Sequence, residues 1–457
     1  MQQRETLSSR LGFILLSAGC AIGLGNVWRF PFITGRYGGA TFVLIYLAFL
    51  AIFGLPIMVM EFAIGRASRQ NIGLALKTLE PNGSKWHLYS PFAIAGNYLL
   101  MMYYTTITGW LLSYCWHYVS GDLSGLSPEE VSSYFGALLS QPVSQIIWMA
   151  ITVLGGFAIV SFGLQKGVES ITKKMMVGLL VLIVVLAIHS ILLPGGEEGL
   201  AFYLKPSLRH IQEAGLFDVV FAAMSQAFFT LSLGIGAMTI FGSYIDRNHS
   251  LTGESLRVII LDTFVAFVSG LIIFPACSAY GVEMNAGPTL LFISMPNIFS
   301  KMAGGRFWGF LFFLFMSFAA MSTVIAVFEN IASYWIDVRK TPRRKACAIN
   351  AAAICLLSLP CLLGFNVLSG FQPFGAGTGV LDFEDFLVSS TLLPLGSLLF
   401  CLFCTRKSGW GWNAFLKEAD QGTGLKFPRW ARIWVTWGIP ILFILVFIKG
   451  YIDILVH

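Results

Sequence analysis

Long apolar runs, separated by short polar or basic stretches, make up most of the chain. About eleven of them match the roughly 20 apolar residues that a bilayer-crossing helix needs. They fall at 11–31, 40–64, 89–119, 145–164, 175–194, 215–241, 256–281, 307–335, 345–365, 383–404 and 431–450. The pattern predicts an all-α polytopic membrane protein. Two runs are interrupted. The first, Leu11 to Pro31 (LGFILLSAGCAIGLGNVWRFP), sets Gly19, Gly23 and Gly25 at mid-membrane depth and follows them with Asn26 and Arg29. Each glycine costs a helix about 1 kcal/mol relative to alanine, and an arginine in hydrocarbon costs at least ~2.5 kcal/mol. Lipid cannot satisfy open backbone groups, so a broken helix survives only where protein or a cavity surrounds it. A small-xxx-small packing seam would explain Gly19 and Gly23 but needs neither Asn26 nor Arg29. The sixth run, Leu216 to Phe241, repeats the anomaly: its centre, FFTLSLGIGA, places Gly234 and Gly236 beside Thr230 and Ser232.

The two interrupted runs begin near residues 11 and 215, and each opens a series of five. Glycine-interrupted segments at matching positions of two halves predict an inverted repeat with its site at the midplane. The predicted organisation is therefore a cytoplasmic segment 1–10, a first repeat 11–195 (helices 1–5), an inverted second repeat 215–404 (helices 6–10) with helices 1 and 6 broken, and an eleventh helix at 431–450 outside the repeat.

Composition agrees: 56% of residues are hydrophobic and only 11% charged, too few for a soluble domain of this length. The net charge of +6 is small, and its placement matters more. Lysine and arginine gather in alternate loops, after the second, fourth, sixth, eighth and tenth runs. The positive-inside rule then puts the N-terminus in the cytoplasm of a multi-pass protein of the cell membrane. The first run has no small-residue cleavage site before a polar mature start, so it reads as a retained span. The eight cysteines lie mostly within apolar runs, which argues against a disulfide framework.

Other polar residues sit inside runs: Glu61, Tyr103 to Thr106, Asp262, the pair Ser322-Thr323, and Asp382, Glu384 and Asp385. An intramembrane carboxylate marks a functional site by default; a Ser-Thr pair alone would more often bond back to its own helix. The six histidines show no metal-ligand spacing. No HExxH, nucleophile elbow or Walker A sequence appears, so neither an enzyme nor an ATP-driven pump is indicated. Half-helix N-termini suit a carboxylate. Asn26, Thr230, Asp262, Ser322, Thr323 and carbonyls near 19–22 supply oxygens for a hard cation at one depth. One sodium ion moving down ~100 mV releases about 2.3 kcal/mol, and a tenfold gradient adds about 1.4. Ion coupling is thus sufficient to concentrate a solute.

The segments GCAIGLGNVWRFP, GLPIMVMEFAIGR (54–66), NYLLMMYYTTITGW (97–110), LPGGEEGLAFYLKP (193–206), SQAFFTLSLGIGAM (225–238) and FAAMST (318–323) resemble, in register over nearly the whole chain, the neurotransmitter:sodium symporters of the leucine-transporter fold. The resemblance implies two sodium sites. Ala21, Asn26, Thr230 and Asp262 would form the first, completed by the substrate carboxylate. Gly19, Ile22, Ala319, Ser322 and Thr323 would form the second. Tyr104 would meet the substrate carboxylate beside the N–H groups of Leu24 and Gly25. The side-chain pocket would be walled by Leu100, Ile107, Phe229, Ser232, Ile235 and Val327, with Phe229 as its outer lid. Arg29 with Asp385 would close the outer gate, and Arg4 with Asp337 the inner one.

Amine-transporting relatives carry an aspartate where Gly23 stands, so here the substrate must bring its own carboxylate. A pocket without formal charge would leave an ionised side chain unpaired at several kcal/mol. The expected partners are sodium and a neutral, hydrophobic L-amino acid, aliphatic or aromatic, in a lipid bilayer, with no nucleic acid. Gly234 and Gly236 would leave room for backbone movement around a larger substrate. Chloride-dependent relatives keep an asparagine at the position of Asp262 and a serine at that of Ala266; a fixed carboxylate predicts chloride-independent transport. Two departures stand out. Leu7 replaces a tryptophan of the inner gate, and the Gly-x9-Pro pattern of the fifth span is lost, because Val177 rather than proline stands ten residues after Gly167. A non-transporting amino-acid sensor is disfavoured by the lack of a long cytoplasmic tail, and an amine or osmolyte transporter by Gly23. The short loop between the third and fourth spans suggests a bacterial protein.

Overall fold

The computed structural model describes residues 5–207, 209, 212, 215–282 and 289–456, with side chains described through Ile452. It is helical throughout, and no β-strand occurs among the described residues. Among the described residues, eight helices are long and apolar enough to cross a membrane, and the bent pair Arg10–Ala21 and Gly25–Arg36 makes a ninth crossing. Two more complete the expected number. Ser90–Ser120 has 31 residues, about 46 Å at 1.5 Å per residue, but carries Tyr103 to Thr106 at its centre. The sixth span is divided into Leu216–Thr230 and Ala237–Tyr244.

Boundaries follow the hydropathy pattern closely except at the fifth span. It begins at Leu164 rather than near 175, because Lys166, Glu169, Lys173 and Lys174 give its first turns the composition of a loop. Contact with the N-terminal segment keeps them helical: buried Glu169 accepts hydrogen bonds from the N–H (2.8 Å) and hydroxyl (2.6 Å) of Ser8 and from the Ser9 hydroxyl (3.3 Å). Ser9 in turn caps the first helix by accepting from the N–H of Gly12 at 3.0 Å.

Both breaks fall at the glycine-rich centres. In the first span the helix stops at Ala21, Ile22 is extended (φ −72°, ψ 105°), and the chain resumes at a 57° bend. Three groups keep the freed N–H groups paired, as a water-free setting requires: Ile22 reaches Ala18 O (2.7 Å), Gly23 the Asn26 Oδ1 (3.0 Å), and Leu24 the Tyr104 hydroxyl (3.1 Å). In the sixth span Ser232 (φ 51°), Gly234 (φ 105°) and Gly236 (φ 73°) occupy left-handed backbone. For Ser232 that conformation costs roughly 1–2 kcal/mol. The neighbouring spans hold it there. Glu61 accepts from Gly234 N at 2.6 Å, the Tyr89 hydroxyl donates to Gly234 O at 2.7 Å, and Asn97 donates to Ile235 O at 2.9 Å. A side chain on Gly234 would run into Leu393 O, and one on Gly236 would lie 2.7 Å from Ile72. These glycines therefore permit close packing and positive φ; they do not leave slack, contrary to the expectation from sequence.

Candidate functional site

The two breaks meet at one buried cavity of about 20 Å³, lined from the first span by Cys20, Ala21, Gly23, Leu24 and Gly25 and from the sixth by Phe229, Thr230 and Ser232. Leu100 and Tyr104 of the third span, Thr323 of the eighth and Leu393 of the tenth close it. A space this small holds about one water molecule. Ile107, Ile235 and Val327 are buried but do not reach this lining, since only the nearest side chains border so small a cavity. Cys20, Gly23 and Leu393 do reach it, and sequence reasoning had not assigned them to the wall.

The expected oxygens of the first cation cluster come together. Asn26 Nδ2 donates to Asp262 Oδ1 (2.8 Å), to the Asp262 carbonyl (3.1 Å) and to Thr230 Oγ1 (3.2 Å), while Thr230 Oγ1 lies 3.1 Å from Asp262 Oδ2. Asp262 is fully buried, and no described lysine or arginine pairs with it. A buried carboxylate surrounded only by neutral donors is suited to a small cation. Ala21 ends the first half-helix beside this group.

A second group of oxygens gathers where the first span crosses the eighth. Ser322 Oγ is 3.0 Å from Gly19 O and 2.9 Å from Ala319 O; Thr323 Oγ1 is 3.2 Å from Gly19 O, 3.1 Å from Ile22 O and 3.4 Å from Ala319 O. All five expected residues are present. The hydroxyls bond across to the other span as well as back along their own, so the back-bonding reading alone does not account for them. Gly19 permits the crossing, because a Cβ there would sit 3.1 Å from Thr172 and 3.3 Å from Ser322.

Above the cavity, the Arg29 guanidinium lies 4.3 Å from the centroid of the Phe229 ring. The structure does not join Arg29 to Asp385. Instead, Asp385 Oδ1 accepts from the Tyr103 hydroxyl (3.1 Å) and from Ser389 (2.7 Å), and Arg29 Nη1 is buried without a hydrogen-bond partner.

Below, Arg4 lies outside the described residues, and Asp337 accepts from Asn71 N at 2.9 Å. The described N-terminal face is held by other groups. Buried Glu329 accepts from Arg343 (2.6 Å) and from the Tyr244 hydroxyl (2.6 Å), and Glu5 lies 3.5 Å from Arg343. Sequence reasoning missed Glu329. A carboxylate inside an apolar run was the available signal.

Comparison with known proteins accords with this geometry. The sequence profile of the sodium:neurotransmitter symporter family matches residues 4–127 and 139–455. The chain is 35% identical over 404 residues to the uncharacterized sodium-dependent transporter YhdH of Bacillus subtilis, covering 88% of this chain and 87% of that one. It is 27% identical over 503 residues to the sodium-dependent serotonin transporter of Drosophila melanogaster, covering 99% and 78%. The structure is similar to that of MhsT in complex with L-phenylalanine, with a TM-score of 0.87 and 36% identity over 98% of this chain and all of that one.

Proposed function

The chain belongs to the sodium:neurotransmitter symporter family and is a sodium-dependent membrane transporter rather than an enzyme, and from that premise we propose that it couples two sodium ions to the uptake of a neutral, hydrophobic L-amino acid by alternating access. The observation that carries this reading is the approach of both helix breaks to one cavity walled by apolar and hydroxyl side chains and backbone, with a buried carboxylate beside it. We read residues 11–195 and 215–404 as the two inverted halves, with the N-terminus cytoplasmic and the cell membrane as the setting.

In this scheme the first sodium ion binds Asn26, Thr230, Asp262 and the Ala21 carbonyl, and the amino acid's carboxylate completes its shell. The same carboxylate takes the N–H groups of Leu24 and Gly25 and the Tyr104 hydroxyl. Substrate and ion therefore bind together, which is the origin of coupling. The second ion ties Gly19 and Ile22 of the first span to Ala319, Ser322 and Thr323 of the eighth. Gly23 supports an amino acid over an amine, since a side chain there would meet the Tyr104 hydroxyl and come within 2.8 Å of Thr323 Oγ1. The apolar lining disfavours charged side chains; binding of L-phenylalanine by the similar MhsT supports including aromatic ones. Asp262 supplies the fixed negative charge that makes chloride unnecessary.

Competition of leucine, tryptophan and lysine against labelled substrate in proteoliposomes tests the assignment. Leucine or tryptophan should compete in sodium and not in potassium. Lysine as the strongest competitor would overturn the substrate class.

A further inference from the structure

A second cavity, of about 720 Å³, opens on the face that carries the N-terminal segment, and the transport cycle described above makes no use of it. Its lining is Ser8, Gln165, Lys166, Glu169, Ser170, Lys173, Lys174 and Val177. Three lysines thus face a single carboxylate, and that carboxylate is already engaged by the hydroxyls of Ser8 and Ser9. Lys166, Lys173 and Lys174 form no ion pair among the described residues. The cavity therefore carries a net positive charge, three lysines against one carboxylate.

Its outer edge continues into an apolar stripe. Val177, Val181, Val184, Val185 and Ile188 follow Lys173 and Lys174 along the same helix, Ser170–Ile191, at spacings of three, four and seven residues that place them on one face. All five are between 40 and 58% exposed, in a span that crosses the membrane. Cationic heads at the membrane surface and a lipid-facing aliphatic track above them form one continuous surface.

We propose that this cavity binds the headgroup of an anionic phospholipid, its phosphate held by Lys166, Lys173 and Lys174 and an acyl chain lying along Val177, Val181, Val184 and Ile188. Basic pockets between membrane helices recognise such headgroups through charge. A soluble phosphate would meet the same lysines but would gain nothing from the valine track. The occupant would also lie against Ser8 and Glu169, where the first and fifth spans are clasped.

The test uses the full-length protein purified in detergent, with retained lipid read by native mass spectrometry and by the thermal midpoint; neither measurement involves transport. The wild type should retain phosphatidylglycerol in preference to phosphatidylcholine. The triple variant K166Q/K173Q/K174Q should bind it roughly a hundredfold more weakly, at about fivefold per lysine, and the single variant K174Q about fivefold more weakly. A control triple variant in another basic loop, K407Q/R429Q/R432Q, should behave as wild type. The proposal fails if the wild type retains both lipids equally, or if the K166Q/K173Q/K174Q variant retains phosphatidylglycerol as the wild type does. It also fails if glycerol phosphate protects as well as the lipid, which would mark a free-phosphate site instead.

Discussion

The side-chain amide of Asn26 lies 2.8 Å from the carboxylate of Asp262 and 3.1 Å from its carbonyl, so two spans from opposite halves of the chain share one buried charge. Asn26 can serve Asp262 only as a neutral donor; a cation at this point would contribute far more. Asp262→Ala should therefore weaken sodium-dependent substrate binding severely. Losing one partner of a buried charge pair costs about 3–5 kcal/mol, equivalent to roughly a hundredfold or more in sodium affinity. Asp262→Asn keeps the shape and an oxygen, so its loss should be smaller. A sodium titration of amino-acid binding measures both. Unchanged half-saturation in Asp262→Ala would remove Asp262 from the ion site.

The same charge makes a statement about anions. With Asp262 ionised and Ala266 unable to donate a hydrogen bond, uptake driven by sodium gluconate should equal uptake driven by sodium chloride. Asp262→Asn removes the fixed charge and should make any remaining uptake no better in gluconate than in chloride. An absolute chloride requirement in the wild type contradicts the argument directly.

Gly23 carries a steric prediction. A Cβ on this residue would collide with the Tyr104 hydroxyl and lie 2.8 Å from Thr323 Oγ1. Gly23→Ala should displace Tyr104 from Leu24 N and reduce substrate affinity by about fivefold to a hundredfold, since overpacking a tight site typically costs 1–3 kcal/mol. Adding Tyr104→Phe removes the colliding oxygen, so the double variant should lose less than the two single changes together. Equilibrium binding of labelled amino acid to the four proteins completes the cycle. Strict additivity would place the two residues out of contact.

The breaks are legible in sequence because glycines, hydroxyls and an asparagine are costly in apolar runs and cannot be explained by packing alone. Asp262, Ser322 and Thr323 are legible for the same reason, and the structure brings each to a partner from another span. What is hidden depends on tertiary contact. The first turns of the fifth span have the composition of a loop and are helical because Glu169 receives Ser8 and Ser9. Leu393 looks like any lipid-facing leucine until its neighbours are known. Arg29 stacks on Phe229 while Tyr103 and Ser389 both donate to Oδ1 of Asp385, an arrangement that no spacing rule encodes.

The Glu169 clasp makes a prediction about the N-terminal side. Leu7 replaces the usual tryptophan there, so hydrogen bonds to Glu169 carry more of the attachment of the first span. Three of them converge on one buried carboxylate, and bonds to a charged group contribute about 1.5–3 kcal/mol each. Glu169→Ala should let the first half-helix detach and expose buried Cys20. In a background whose other cysteines are replaced, alkylation of Cys20 by a membrane-impermeant reagent from the N-terminal side should accelerate severalfold. Sodium should suppress the increase by holding Gly19 and Ile22 to the eighth span. An unaltered labelling rate would show that the clasp does not limit opening.

On the opposite side, Phe229 both lines the cavity and supports the Arg29 guanidinium at 4.3 Å. A cation over an aromatic face contributes about 0.5–1 kcal/mol where exposed and about 2 or more where desolvated, and Arg29 is largely buried with Nη1 lacking any other partner. Truncating the ring thus removes the roof of the site and the aromatic face beneath the guanidinium. Phe229→Ala should release bound amino acid about tenfold faster on dilution into sodium, with the sodium dependence of initial binding little changed because Phe229 offers no ligand oxygen. Phe229→Tyr keeps the aromatic face and should stay within about twofold of wild type. If Phe229→Ala releases substrate at the wild-type rate, the outer closure must rest on Tyr103, Asp385 and Ser389 instead, and Asp385→Asn should then show the fast release.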